Sequence, residues 1–175
     1  MVRLLHALVA LLVVLAGCSG LPGGGTPTPA GQDLSVTVSN EHDEPYVVRL
    51  TAVPAEVAGI EVTYENGSTR RFEVASFDAL PRTALRNATA VATTGPAGLS
   101  REFAVGPGEG VGTTLEGAPA NATVVFFVLL EDGRETVRGT GVVRCAPDAE
   151  TTELVVRIRP DGSLHSSVAC RDGPA

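Results

Sequence analysis

Apolar and polar residues alternate strictly along several short segments of this 175-residue chain. The apolar members of three such segments are Leu34, Val36 and Val38; Tyr46, Val48 and Leu50; and Ile60, Val62 and Tyr64. Because successive side chains of a β-strand point to opposite faces of its sheet, a period of two predicts strands with one buried and one polar face. This pattern constrains the chain to a fold built from half-buried β-strands.

Turn dipeptides separate several of these segments. Asn66-Gly67 lies between the strand that contains Ile60 and the alternating segment 70–74. Asn-Gly readily adopts the positive φ angles of a type I′ turn, so this pair predicts a β-hairpin with that turn. Two further hairpins are predicted at Asp132-Gly133, between segments 123–130 and 135–145, and at Asp161-Gly162, between segments 153–159 and 163–170.

Two regions depart from the alternation. Residues 124–130 are continuously apolar, which indicates a central strand covered on both faces, or a strand whose outer face meets something apolar. Residues 76–100 contain alanines, Pro81 and Gly95-Pro96, and we expect a short helix at 82–91. Strand resumes at 101–105, and we expect one edge strand at 111–115. Eight or nine strands with at most one short helix predict an all-β fold, an antiparallel, immunoglobulin-like β-sandwich.

The N-terminus has the composition of an export signal. One positive charge at Arg3 precedes an apolar run at 4–15, which is too short to span a bilayer of about 30 Å hydrocarbon thickness. The run ends in Leu15-Ala16-Gly17-Cys18, which resembles the lipobox of prokaryotic lipoproteins. That resemblance implies cleavage before Cys18 and attachment of a diacylglycerol to its sulfur; the alternative is an ordinary signal peptide with a chance cysteine.

The resemblance divides the chain into three parts. Residues 1–17 are the expected signal peptide, 18–32 a lipidated cysteine followed by a flexible tether rich in Pro, Gly and Thr, and 33–175 a single β-sandwich domain. The expected location is the extracytoplasmic face of the membrane. Two acyl chains give the stable anchoring that a single chain does not.

The charge of the chain is strongly acidic. All 13 cationic residues are arginine, the net charge is −7, and the pI is near 4.9, so no basic surface for nucleic acid is expected. Together with its content of Ala, Val and Gly, this composition resembles that of uncharacterised secreted lipoproteins of halophilic archaea. An acidic lipoprotein of a high-GC bacterium is the alternative.

Cys145 and Cys170 form an even pair in an exported domain, which predicts a disulfide. The parity of their segments points both side chains toward the core. In a simple meander the two would lie two strands apart, about 9.6 Å at roughly 4.8 Å per strand, whereas a disulfide needs Cα atoms within about 7 Å. A bridge therefore requires the 146–152 loop to cross between sheets, or direct pairing of the two strands. Two free thiols are the alternative.

Asn66, Asn87 and Asn121 each begin an Asn-x-Ser/Thr sequence, the acceptor pattern of N-glycosylation. Asn66 is also explained as a turn residue. Residues 41–44, Glu-His-Asp-Glu, contain oxygen and imidazole ligands for a cation, but a solvated acidic turn is the favoured interpretation. No metal site and no cofactor is predicted.

No catalytic residues are predicted either. The only imidazole bases beyond the signal are His42 and His165, and the Gly-x-Ser-x-Gly motif of hydrolases is absent from the sequence. The leading hypothesis is a lipid-anchored cell-surface module with a binding or structural role, with the membrane and an envelope protein as partners. The alternative is a small-ligand carrier or accessory subunit of an envelope complex, with residues 124–130 and 76–119 lining a pocket; an enzyme is the third hypothesis.

Overall fold

The computed structural model describes residues 31–132, 135–146 and 148–172. Within them the chain forms eleven strands. In chain order they are β1 (Gln32–Asn40), β2 (Tyr46–Val53), β3 (Gly59–Tyr64), β4 (Thr69–Phe72), β5 (Ala88–Thr94), β6 (Leu99–Val105), β7 (Gly110–Ala118), β8 (Thr123–Leu130), β9 (Val137–Val143), β10 (Ala149–Ile158) and β11 (Leu164–Asp172). Two short 3-10 helices, Phe77–Ala79 and Arg82–Leu85, lie between β4 and β5.

Two four-stranded sheets form the sandwich. Sheet A has the strand order β11-β10-β1-β7 and sheet B the order β6-β2-β8-β9. The predicted β-sandwich is confirmed, although the count is eleven strands rather than eight or nine. All pairings are antiparallel except that of β1 with β10, which is parallel. The alternating apolar residues of β1, β2, β8 and β10 fill the space between the sheets, with Val38, Val48 and Val128 fully buried.

A third layer covers the outer face of sheet B. Neighbouring strands β2 and β6 of sheet B are connected by residues 54–98, which form a small sheet of order β4-β3-β5 and the two 3-10 helices. The layer buries a second apolar cluster that includes Ile60, Val62 and Phe77. Strand β8 contributes to both cores, since Phe126 faces sheet A and Phe127 faces the third layer. The continuously apolar segment 124–130 is therefore central and covered on both faces, as predicted.

The expected helix at 82–91 is wrong over most of its length. Only Arg82–Leu85 is helical, as a single 3-10 turn, and Ala88–Thr94 is strand β5. Ala88 and Val91 are buried against the outer face of sheet B, where small side chains allow close approach. Tertiary packing outweighs the helix propensity of alanine here. The expected edge strand at 111–115 is present as β7, at the edge of sheet A.

The hairpin at Asn66-Gly67 forms, but its turn is not type I′. A type I′ turn needs positive φ at both central residues, and only Gly67, with a φ of 75°, has it. The Gly67 N–H donates to the Tyr64 carbonyl and the Tyr64 N–H to the Ser68 carbonyl, which is the pattern of a type I turn followed by a glycine bulge. The Asn66 side chain accepts a hydrogen bond from the Ser68 N–H at 3.0 Å and so favours this turn.

A disulfide joins Cys145 to Cys170, with a Cα–Cα distance of 5.7 Å. Cys145 follows β9 at one edge of sheet B, and Cys170 lies on β11 at the adjacent edge of sheet A. The connection to β10 therefore crosses between sheets, one of the two topologies that a bridge requires. Both cysteines share a face with residues that pack on the main core, as their parity predicts. Cys170 is nevertheless exposed and Cys145 half-buried, because β9 and β11 are edge strands.

Candidate functional site

An open groove lined by both apolar and polar residues lies beside the end of edge strand β9. The third layer covers β2, β8 and the start of β9, where Val137 packs against it. Residues 76–85, here called the strap, face the other end of β9 across an open channel. Phe77 and Leu80 of the strap turn inward and are buried in the second core, which fixes the position of the strap. We call this channel the β9 groove.

The β9 groove has two compartments of about 430 and 460 Å³. Phe77, Asp78 and Arg144 line both of them. The first compartment is further lined by Ala55, Ser76, Asn121, Thr123, Cys145 and Ala146, and the second by Leu80, Pro81, Arg82, Leu85 and Val142. An ion pair between Arg144 Nη1 and Asp78 Oδ2 crosses the groove between them. Apolar residues make up a larger share of the lining in the second compartment than in the first.

Val142 is the one large apolar side chain that the described residues leave exposed, at 45%. It pairs with Val125 of β8 and so lies on the outer face of sheet B, beside the fully buried second core. On the same face of β9, Val137 is partly buried against the second core, and Thr140, which pairs with Phe127, is polar and exposed. Val142 lines the groove, whereas the polar residue Thr140 does not.

The β9 groove lies at the end of the sandwich where the described chain begins. Gln32 pairs with Ala118 at the end of β7, and a short loop leads from there to Thr123, which lines the groove. At the same end, Val143 pairs with Val124 at the start of β8. The start of the described residues, the disulfide and the groove therefore share one end of the molecule.

The acidic turn at 41–44 lies at the opposite end. Asn40 is buried and holds the turn: its Nδ2 donates to the carbonyls of Glu44, Val105 and Gly106, and its Oδ1 accepts from the His42 N–H at 3.0 Å. His42 Nδ1 lies 3.2 Å from the Tyr46 hydroxyl. Burial, followed by the negative charge of Glu44, raises the pKa of Tyr46. This network explains the motif as a structural turn.

The described residues contain no group of three or more His, Cys, Asp or Glu side chains that could hold a metal ion. His165 is exposed on β11 opposite Arg157, as the alternation predicts. Among the described residues, no hydrogen bond or ion pair joins it to His42.

The three predicted acceptor asparagines lie in three different turns. Asn66 is at the tip of the β3–β4 hairpin, Asn87 precedes β5, and Asn121 precedes β8 beside the β9 groove. Cys18, the expected signal peptide and most of the tether lie outside the described residues. In the part of the chain that is described, no helix has the length and apolar character needed to cross a membrane.

The β9 groove is not evident from the sequence. One signal was present, because Val142 occupies a position on β9 whose neighbours of the same parity, Arg138 and Thr140, are polar. The remaining lining residues come from the strap, whose packing against sheet B depends on contacts between distant parts of the chain. Local pattern could not reveal which strand the strap would leave uncovered.

The two facing sheets, the crossing between them and the parallel β1–β10 pair define an immunoglobulin-like β-sandwich. A model of the family described as "Halobacterial Ig domain protein" matches residues 1–173. The chain belongs to this family. The match confirms the resemblance to proteins of halophilic archaea and the immunoglobulin-like fold.

No curated protein matches the chain. Among solved structures, the chain is similar to the T6SS lipoprotein TssJ1 from Pseudomonas aeruginosa, with 12% identity and a TM-score of 0.39. The similarity covers 82% of this chain and 99% of that one.

Proposed function

We propose that this protein is a lipid-anchored surface module that binds an extended apolar segment of another envelope protein in the β9 groove. The observation that carries the proposal is the open groove itself, with Val142 exposed at 45% on an edge strand beside the buried second core. Filling the second compartment with an apolar side chain would remove Val142 and Leu85 from water. Burial of apolar surface is the main favourable term in protein association.

The position of the groove supports a partner held at the same membrane. With an anchor at Cys18, the chain from there to Gly31 spans at most about 45 Å when fully extended. The end of the sandwich where the chain begins, which carries the groove, would therefore stay within reach of the membrane surface. An envelope protein anchored in the same membrane has its juxtamembrane segments at this height.

The shape of the groove favours a protein segment over a small ligand. Each compartment has a volume within the range of small-molecule sites, about 300–1,000 Å³, which keeps a carrier role as the second candidate. However, the channel is open along its length, and the ion pair between Arg144 and Asp78 crosses it. A small ligand there would remain largely in water, whereas an extended chain can contact both compartments. The proposal assigns no catalytic role, metal or cofactor.

Two arginine substitutions on one strand test the groove. Val142→Arg places a long charged side chain at the second compartment, and Thr140→Arg places the same side chain on the same face of β9 outside the groove lining. Each full-length variant is solubilised from membranes in mild detergent, and the proteins that co-purify are identified. We expect the partner to be lost with Val142→Arg and retained with Thr140→Arg, while both variants keep the wild-type unfolding temperature.

Crosslinking separates the two candidate functions. A photoreactive amino acid at position 142 should form a covalent adduct with one envelope protein, and the same group at position 140 should not. An adduct of small-molecule mass at position 142 would favour the carrier instead. Equal retention of every co-purifying protein by both arginine variants would contradict the proposed groove function.

The anchor has its own test. The mass of the N-terminal peptide from membrane-extracted protein should correspond to a chain that begins at Cys18 and carries a diacylglycerol. Cys18→Ser should move the protein out of the membrane fraction without changing its fold, since the described domain begins after the tether. A mature N-terminus elsewhere, or an unmodified Cys18, would contradict the anchor.

A further inference from the structure

The three Asn-x-Ser/Thr sequences differ in whether a transferase could reach them in the folded protein. In each, the asparagine is the acceptor and the hydroxyl residue two positions later is part of the recognised pattern. All three asparagines are exposed or lie in turns, so the asparagine alone does not distinguish them. The exposure of the hydroxyl residues does distinguish the three sequences.

The hydroxyl residues that follow Asn87 and Asn121 are buried in the sheets. Thr89 is 0% exposed on β5, and its Oγ1 donates to the Thr63 carbonyl at 3.4 Å. Thr123 is 8% exposed at the start of β8, where it pairs with Val53. An enzyme that grips Thr89 would first have to separate β5 from β3. One that grips Thr123 would have to reach into the first compartment of the β9 groove, which Asp78 and Arg144 also line. Separating paired strands breaks ladder hydrogen bonds and exposes apolar surface.

The sequence that begins at Asn66 is fully accessible. Asn66, Gly67 and Ser68 are all exposed, and a Cβ placed on Gly67 would meet no atom within 4 Å. The Asn66 Oδ1 accepts hydrogen bonds from the Ser68 N–H at 3.0 Å and from the Ser68 hydroxyl at 2.7 Å. These contacts occupy the amide oxygen and hold the acceptor and the hydroxyl together at the tip of the hairpin.

We infer that Asn66 is an N-glycosylation site and that Asn87 and Asn121 are not modified. The inference rests on the export that the proposed function includes. In the reaction, the Asn66 amide nitrogen bonds to the anomeric carbon of a lipid-linked sugar phosphate. The bond from that carbon to the phosphate oxygen breaks, the lipid phosphate leaves with the bonding electrons, and the amide loses one proton.

The glycan would lie away from the β9 groove. The Glu65 side chain accepts a hydrogen bond from the Val137 N–H at 2.7 Å, which ties the hairpin tip to the start of β9. The groove lies along the other end of β9, at Val142 and Arg144. A sugar on Asn66 therefore leaves the groove open, and glycosylation and partner binding are compatible on one molecule.

Peptide mapping by mass spectrometry of the full chain, purified from membranes of its native host, tests the inference. The peptide that contains Asn66 should carry a sugar mass, and the peptides that contain Asn87 and Asn121 should have their unmodified masses. Ser68→Ala should abolish the sugar while leaving Asn66 in place, and Ser68→Thr, which preserves the acceptor pattern, should retain it.

The same digest reports on Cys18, which separates this inference from the proposed function. A bare Asn66 overturns the inference whatever the state of Cys18. Sugar on Asn87 or Asn121 also overturns it, because burial of the hydroxyl residue would then not govern the choice of site. An unmodified Cys18 together with a glycosylated Asn66 contradicts the anchor and supports the inference.

Discussion

Arg49 lies between two carboxylates on the outer face of sheet B. Its Nε is 2.6 Å from Glu102 Oε2, and its Nη2 is 2.6 Å from Glu135 Oε1. The hydrogen bond from Arg49 is the main cause that lowers the pKa of Glu135 below its ordinary value of 4.5. Because the folded state depresses this pKa, the pair stabilises the protein above pH 4.5, and that contribution is lost as the pH falls through the folded-state pKa.

Glu135→Gln should therefore lower the free energy of unfolding at neutral pH. The Glu135 side chain is 46% exposed, so solvent screening limits the loss to less than about 1 kcal/mol. Urea unfolding of the variant and the wild type should give curves that converge as the pH is lowered below 4.5. Glu61→Gln is the matched control, since it removes an exposed carboxylate on β3 that is not one of the two partners of Arg49. A difference that is constant with pH would contradict the linkage.

The disulfide between Cys145 and Cys170 closes a loop with a sequence separation of 25 residues. For a loop of this length, the entropy model gives at most about 3.5 kcal/mol of stabilisation, by restricting the unfolded chain. We expect reductant to lower the unfolding temperature of the wild type and to have no effect on a Cys145→Ser, Cys170→Ser variant. A wild-type unfolding temperature that does not change with reductant would contradict a stabilising bridge.

At the scale of the element, β9 is shaped by two glycines that admit side chains from other strands. A Cβ on Gly141 would lie against the ring of Phe126, which is 2% exposed in the main core, so the ring has no free space. A Cβ on Gly139 would instead meet the end of the Leu164 side chain, which is only half-buried on edge strand β11. The first contact is rigid and the second can relax.

Gly141→Ala should therefore destabilise the protein more than Gly139→Ala. Overpacking of a filled core typically costs about 1–3 kcal/mol, and we expect Gly141→Ala in that range and Gly139→Ala below it. Denaturant unfolding of both variants measures the difference, and each serves as the control for the other because both replace a β9 glycine with the same side chain. Equal losses would show that Phe126 yields as readily as Leu164.

The alternation predicted the strands whose faces differ in polarity, and it failed where they do not. Strands β1, β2 and β3 lie where the alternation places them. The sequence did not predict strand β5, because its alanines have a high helix propensity. The segment is a strand because it packs against the outer face of sheet B. The third layer was indicated by a single signal, the apolar segment 124–130, whose odd-numbered residues need a partner. Which part of the chain supplies that partner is a long-range property that a local period does not contain.

At the scale of the whole molecule, much of the acidic charge gathers away from the β9 groove. Glu41, Asp43 and Glu44 lie in the turn before β2, and Glu109 and Asp161 lie in neighbouring turns at the same end. Glu41 has an ion-pair partner in Arg157, at 3.4 Å. Repulsion among the other carboxylates opposes folding, since the unfolded chain places them further apart. This placement became visible only with the topology, because the sequence distributes these residues over more than a hundred positions.

Salt should therefore stabilise the protein. With a net charge of −7, the folded chain carries repulsion that is screened as the Debye length shortens from about 10 Å at 0.1 M to about 3 Å at 1 M salt. We expect the unfolding temperature, followed by circular dichroism, to rise steeply with KCl up to molar concentration and then more slowly. Sucrose is the control, because it favours burial without screening charge and should give no steep initial rise. An unfolding temperature independent of KCl would mean that the ion pairs of Arg49, Arg144 and Arg157, which salt weakens, offset the repulsion that salt relieves.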